Sequence, residues 1–330
     1  MVKLPRRQFL HLAAGAAALP FAPHVARAQA YPSKPITMVV PFPAGGPVDT
    51  LGRILSEPMR ASLGQPILIE NVSGAAGSIG VGRVARAAPD GYTLSIGQFG
   101  THVVNGAIYA LPYDTLADFQ PIALLSSNPT LIVARKGVPA DDLKGLIAWL
   151  KANPDKASQA ITGVGGIGHV GGFFFQNATG TRYQFVPYRG AAPAMQDLVS
   201  GQIDMMIDTP TTSLPQLRSG AIKGFAVMSK TRLAAAPDLP TVDEAGTPGL
   251  YLLQWNGVWA PKGTAREIVM KLNDAIVRAM SEPAVRQKLA DLGQDIYPRE
   301  QQTPEALGAF QKAEIEKWWP IIKASNIKGE

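Results

Sequence analysis

Ile36-Thr37-Met38-Val39-Val40-Pro41-Phe42-Pro43-Ala44-Gly45-Gly46-Pro47-Val48-Asp49 runs from a continuous apolar pentapeptide through a Pro- and Gly-rich turn into a helix start. An apolar run of this length, bounded by turn residues, predicts a strand buried on both faces. Pro47 and Asp49 suit the first turn of a helix, and the paired glycines let backbone N–H groups face a ligand with no Cβ in the way. The alternative is a tight connecting turn with a capping aspartate. These residues alone leave both readings open.

Outward from this junction the alternation recurs. Residues 51–63 predict a helix, 66–72 a strand, 77–87 a helix, and 92–97 and 131–134 strands. A helix is predicted over 143–150, strands over 160–163 and 184–186, a helix over 193–200, and strands over 203–207 and 222–227. Strands alternating with helices imply parallel sheets covered on both faces, an α/β fold. The last third differs, with helical patterns over 264–281, 283–292 and 303–324; Ile268, Leu272, Ile276 and Met280 recur near helical spacing. About three hundred residues exceed one usual core and point to two lobes. Residues 126–129 suit an outward crossing and the Pro/Gly cluster 237–249 a return. The expected division is a discontinuous first lobe, 31–128 plus 250–330, around an inserted lobe, 129–249.

Residues 1–30 read as an export signal. Lys3 and Arg6-Arg7-Gln8-Phe9-Leu10 precede an apolar stretch interrupted by His11, Gly15 and Pro20, and Ala26-Arg27-Ala28-Gln29-Ala30 closes it with a small-x-small site. The stretch is too short to span about 30 Å of hydrocarbon, so cleavage near Ala30 and a periplasmic location are expected. The paired arginines point to the twin-arginine route, with the general secretory route as the alternative. The segment holds four basic residues and no acid, so its removal lowers the formal charge from +6 to +2. Without a Lys/Arg run interleaved with aromatics, no nucleic-acid partner is expected. The absence of cysteine excludes disulfides, thiolate metal sites and cysteine nucleophiles.

Two further junctions carry candidate chemistry. Asn71-Val72-Ser73-Gly74-Ala75-Ala76-Gly77-Ser78-Ile79-Gly80 precedes a helix, where the Ser78 hydroxyl either joins a bound anion or caps the helix. Its likeness to the hydrolase elbow Gly-x-Ser-x-Gly fails at the first position, which is Ala76. Gly163-Val164-Gly165-Gly166-Ile167-Gly168-His169 matches the dinucleotide fingerprint, but no acid stands about 20 residues on; only Arg189 offers a partner, to a 2′-phosphate. An exported NADP-dependent oxidoreductase is therefore one alternative. Catalytic side chains are scarce: after the signal only His102 and His169 remain, with no His-x-x-x-His spacing, and Asp204 and Asp208 form no obvious acid pair. No metal, no cofactor and no catalysis are expected. Glycine-rich helix N-termini converging at strand ends instead describe an anion-binding cleft.

Several segments, in order, resemble a known family: Tyr31-Pro32 with Lys34-Pro35-Ile36, Pro41-Phe42-Pro43-Ala44-Gly45-Gly46 with Asp49, and Ala88-Pro89-Asp90-Gly91-Tyr92-Thr93-Leu94. Leu111-Pro112-Tyr113-Asp114, Asp118-Phe119 and Val186-Pro187-Tyr188-Arg189-Gly190-Ala191-Ala192-Pro193-Ala194 follow. Pro240-Thr241-Val242, Glu244-Ala245-Gly246 and Trp255-Asn256-Gly257-Val258 with Ala260-Pro261 complete the set. The chain resembles the substrate-binding components of tripartite tricarboxylate transporters, the Bug-type receptors. The resemblance implies a type II-like periplasmic binding protein whose two α/β lobes close, as a Venus-flytrap, on a small carboxylate: a di- or tricarboxylate, an aromatic acid or an amino-acid-like acid. It implies a monomer that serves two membrane subunits, or else a sensor feeding a membrane kinase. Carried over by position, the ligand-binding residues are Phe42, Pro43, Ala44, Gly45, Gly46 and Asp49, with Gly163, Gly165, Gly166 and His169. Ser78, Phe99, Thr101, Arg189, Gly190 and Asp208 match positions near the cleft. Gly166 stands where many relatives carry Ser or Thr, so water replaces a hydroxyl contact there or the contact is missing. Phe99 and Trp255 suit either a ligand ring or the core.

Overall fold

The computed structural model describes residues 31–324, and the expected signal at 1–30 lies outside the described residues. The chain opens with β1 (Ile36–Val40), α1 (Pro47–Leu63), β2 (Ile67–Asn71), α2 (Ser78–Ala85) and β3 (Thr93–Gln98). A wide turn, Gly100–Val104, and the short α3 (Asn105–Ile108) lead to β4 (Phe119–Pro129), which passes through Thr130 into β5 (Leu131–Arg135). Next come α4 (Leu143–Ala152), β6 (Ser158–Ile161), α5 (Ile167–Thr179), β7 (Gln184–Pro187), α6 (Ala191–Ser200), β8 (Met205–Asp208), α7 (Pro210–Arg218) and β9 (Ile222–Val227). The chain then returns through β10 (Leu253–Pro261) to α8 (Arg266–Ser281), α9 (Pro283–Asp291), β11 (Asp295–Ile296) and α10 (Pro304–Ala324). Among the described residues no helix is long and apolar enough to cross a membrane.

Two sheets result. The first runs β11-β4-β10-β3-β1-β2 and the second β7-β6-β8-β5-β9. The opening junction forms as its residues dictate: Ile36, Met38, Val39 and Val40 are fully buried. Helix α1 starts at Pro47, earlier than expected, because proline fits the first helical position and Asp49 lies in the first turn. Leu51, Leu55 and Met59 of α1 share one buried cluster with Leu272, Ile276 and Met280 of α8. Each such side chain contributes about 1.5–3 kcal/mol relative to exposure.

The expectation of parallel sheets is corrected to mixed ones. β1 pairs in parallel with β2 and β3, and β6 with β7 and β8, but β10 lies antiparallel to β3 and β4, and β5 antiparallel to β8 and β9. The antiparallel members are the strands that link the sheets, and their direction follows from leaving one sheet and coming back. Residues near 240 stay on the second sheet, where the Val227 amide donates to Pro240 O (2.8 Å) and the Val242 amide to Val227 O (2.9 Å). The two connections meet instead at a ring of backbone bonds: Thr130 N to Leu252 O (3.0 Å), Leu252 N to Met228 O (3.0 Å) and Met228 N to Thr130 O (2.8 Å).

Helices α5 and α7 and strands β4 and β10 lie outside the helix and strand ranges that the sequence predicts. In α5, glycine permits close packing: a Cβ on Gly168 would stand 2.6 Å from Ile207 O, and one on Gly171 2.8 Å from Leu252 Cδ2. Propensity disfavours such a helix, and tertiary packing overrides it.

Both histidines are buried. His102 stacks on Trp259 at 3.7 Å, and His169 sits edge-on to Phe185 at 4.6 Å. Burial pushes His102 down to about 3 and His169 down to about 4. Unfolding therefore binds protons below the ordinary histidine value of about 6.5, so these groups contribute stability above that pH and lose it as pH falls. At pH 5 the loss is about 2 kcal/mol per histidine. Imidazole NMR should show both rings neutral throughout pH 5–8. A midpoint near 6.5 for either would contradict the burial.

Candidate functional site

Four helix N-termini converge between the sheets. The residues preceding α1, α5, α6 and α7 are Gly46, Gly166, Gly190 and Thr209, and none of these helices has a side chain bonded as its cap. Each helix start leaves backbone N–H groups without intrahelical acceptors. Gly46, Ile167, Gly190, Ala191, Ala192 and Thr209 all line one cavity of about 40 Å³. Each helix start favours negative charge by about 0.3–1 kcal/mol, rising to ~2 when partly buried. No lysine or arginine lines this cavity; its charged lining residue is Asp208. A second cavity, about 480 Å³, adjoins it across Phe42 and Thr162, which line both. Arg189 lies in its wall with Gly163, Pro187 and the 73–77 turn.

The loop after β1 is held from behind. Asp49 is 2% exposed; its Oδ2 accepts from the Gly45 amide and from Arg53 Nε, both at 2.9 Å, and its Oδ1 accepts from Asn71 Nδ2 at 3.0 Å. Asn71 Nδ2 also donates to Phe42 O at 3.0 Å. Burial alone would raise the Asp49 carboxyl, but the Arg53, Gly45 and Asn71 hydrogen bonds and the Arg53 charge outweigh it, and the net shift is downward. Asp208 shows the opposite balance. Burial dominates and raises it, against hydrogen bonds from the Thr212 and Ser213 hydroxyls (2.6 and 2.7 Å) and the Thr209 amide.

The sequence-predicted residues divide accordingly. Phe42, Pro43, Ala44, Gly46, Gly190 and Asp208 line the smaller cavity, and Gly163 and Arg189 the larger. Gly45 faces an outer groove with Ala192 and Thr212, while Asp49 braces the loop. The expectation for Phe99 is corrected: it is fully buried, edge-on to Trp318 at 5.2 Å. Thr101 is likewise buried, its hydroxyl bonded to Gln98 backbone and placed 2.9 Å from His102 Nδ1. Ser78 donates to Ala75 O at 2.7 Å and lines neither cavity. His169 Nδ1 accepts from the Gly165 amide at 3.0 Å, so both residues shape the loop before α5. The Gly166 amide is spent on Gly163 O at 3.2 Å. Trp255 is also buried, its Nε1 directed at Glu314.

Sequence reasoning missed Gln98, Thr162, Thr209 and Gln254, all lining the smaller cavity. Gln98 closes β3 and Thr209 follows β8, so the rule that ligands sit at strand ends could have found both. Gln254 Nε2 donates to Gln98 Oε1 across β10 and β3. Among the described residues no group of three His, Cys, Asp or Glu could hold a metal ion.

The family described as tripartite tricarboxylate transporter family receptor matches residues 51–327. The chain is similar to the solved periplasmic binding protein BugD, with 38% identity and a TM-score of 0.87 over 91% of this chain and 100% of that one. It is similar to MatC (Rpa3494) from Rhodopseudomonas palustris with bound malate, at 39% identity and TM-score 0.85 over 88% and 100%. It is also similar to R. palustris Rpa4515 with adipate, at 32% identity and TM-score 0.86 over 91% and 100%. These are solute-binding proteins and not enzymes, so the dinucleotide reading of residues 163–168 is set aside. Fold, cavity and family agree, and the chain belongs to the tripartite tricarboxylate transporter family receptors, the periplasmic solute-binding proteins with Bug-type relatives.

Proposed function

We propose that this receptor captures a small carboxylate in the cavity where α1, α5, α6 and α7 begin, and hands it to the two membrane subunits of a tripartite transporter. The observation that carries the reading is the convergence of four helix starts without side-chain caps on one cavity. Charge-assisted hydrogen bonds contribute about 1.5–3 kcal/mol each. Two or three on one carboxylate contribute roughly 3–9 kcal/mol before ordering costs, and the helix starts add to this. Neighbours solved with malate and adipate support a carboxylate. The lobes are residues 31–128 with 250–330 and residues 129–249; they rock about the Thr130, Met228 and Leu252 ring. The protein acts as a monomer, exported through a twin-arginine signal cleaved near Ala30.

A thermal-shift panel of small organic acids, each beside its amide or methyl ester, tests the proposal. Stabilisation by at least one acid and by none of the neutral analogues is expected. A panel in which no carboxylate raises the melting temperature would sink it. Gly46→Trp gives a local check, because a Cβ at Gly46 meets only Pro43 O at 3.6 Å. The fold should survive while the indole fills the cavity, and binding should fall by ~100-fold or more, about 2.7 kcal/mol.

A further inference from the structure

The glycines of the 163–165 loop, whose dinucleotide reading falls away, have another explanation in what they face. A Cβ on Gly163 would stand 3.1 Å from Ala76 Cβ and 3.2 Å from Ala76 Cα. One on Gly165 would stand 2.6 Å from Ile108 Cδ1. Between these two contacts the Tyr109 hydroxyl donates to Val164 O at 2.6 Å. Ala76, Ile108 and Tyr109 belong to the part of the chain built on the first sheet, and residues 163–165 to the part built on the second. Three consecutive residues of one side thus touch the other across the cleft. Ala76, Tyr109, Gly163 and Val164 line the larger cavity there.

The first-sheet side of this seam is braced. Asn105 is fully buried, and its Nδ2 donates to Ala76 O at 3.0 Å, tying the start of α3 to the 74–77 turn. The Tyr109 amide donates to Asn105 O at 2.9 Å, which fixes the backbone that carries the hydroxyl. Ala75 and Ala76 hold φ of 44° and 51°, a left-handed conformation unfavourable for any residue with a Cβ. Such strain persists only where the surroundings impose it, and here it sets Ala76 against Gly163. All of these are direct contacts between protein atoms. We infer that Tyr109, with Ala76 and the 163–165 loop, is a latch that holds the two lobes shut, so that closure has a component separate from any acid in the smaller cavity. This inference rests on the two-lobe closure proposed above.

The experiment is pulsed electron resonance between two spin labels. They are placed at Ala88→Cys, beyond the end of α2, and Asn177→Cys, in the last turn of α5; both positions are exposed, and the chain has no cysteine of its own. Both helices start beside the seam, so parting of the lobes changes the distance between the labels. Without added acid the protein should show a closed population. Tyr109→Phe keeps the ring and removes only the hydroxyl, and should lower the closed-to-open ratio by about 2- to 10-fold, the range of one ordinary hydrogen bond. Ala76→Leu should lower it further, because it adds bulk against Gly163 at a position that already bears a Cβ. The same distances are read with saturating malate, adipate and citrate. A closed fraction undiminished in Tyr109→Phe overturns the latch, even if Ala76→Leu parts the lobes by its bulk. So does a wild type with no closed population before acid is added. In either case, a distance that still shifts with one of the acids leaves the closure reading standing. If neither variant and none of the acids shifts it, the closure reading falls, and the latch with it.

Discussion

Gly190→Leu is expected to lower ligand affinity by about 10- to 100-fold while leaving the unliganded protein folded. Gly190 has φ 179 and ψ 174, extended backbone open to any residue, so the substitution adds no local strain. Its obstacle lies across the cleft: a Cβ there would stand 3.0 Å from Pro43 Cδ and 3.1 Å from Pro43 Cγ. A pyrrolidine ring cannot swing aside as a flexible side chain would. Pro43 belongs to the loop after β1, itself tied to Asp49 and Asn71 through Gly45 and Phe42. The leucine is thus accommodated by holding the two loops apart, and closing on it costs about 1–3 kcal/mol of overpacking, which converts to the stated loss. Helix α6 itself loses little, since glycine there provides no side-chain cap. Titration calorimetry reads the affinity, and small-angle scattering reads whether a saturating acid still compacts the particle. A variant that closes and binds as the wild type does would show that the Gly190 and Pro43 contact plays no part in closure.

The contact between these two residues illustrates what the sequence makes legible. Each of them stands in a loop that reads from its own residues, because prolines, glycines and an acid at a strand-to-helix junction act locally. That the loops face one another depends on β4 and β10, which no predicted strand covers. β4 carries Pro121, Ser126, Ser127 and Asn128, and β10 carries Gln254, Asn256 and Gly257, so neither shows a clean apolar run. Their polar groups are satisfied at a distance: Ser126 Oγ donates to Gln294 Oε1 at 2.8 Å, 168 positions away. No local period records such a bond. The same limit explains the misplaced site residues. Phe99 and Thr101 adjoin the wide turn after β3, where the alternation that would aim a side chain at the cleft breaks down, so they turn into the core. Gln98, one position earlier and still on the strand, keeps its direction and reaches the cavity. The long helices of the last third were read closely, because their apolar spacing is set against one continuous surface.

Asp49→Ala should be the costliest single truncation in the loop that the opening stretch of sequence encodes. The wild-type carboxylate accepts three hydrogen bonds from three separate segments, the Gly45 amide, Asn71 and Arg53. Alanine leaves the exposed Gly45 amide and the half-buried Asn71 without that acceptor, although Asn71 keeps its bond to Phe42 O. Arg53 is 55% exposed and rehydrates, so the full price of a broken buried ion pair does not apply. Two lost, partly solvated hydrogen bonds place the loss at about 1–2 kcal/mol, visible as a melting temperature lower by roughly 2–5 °C. Gly45, with φ +83, then has no anchor for its amide, and the Phe42 to Gly46 wall of the cavity loosens, so affinity should fall with stability. The pH dependence separates this account from a general packing defect. The folded-state carboxyl lies below its ordinary value, so its contribution is complete above about pH 4 and is lost as pH falls through the folded value. The gap in stability between wild type and variant should therefore be widest near neutrality and narrow steadily below about pH 4. Denaturant unfolding at pH 7 and pH 3 measures it. A gap of the same size at both values would assign the loss to packing and remove the carboxylate network as its cause.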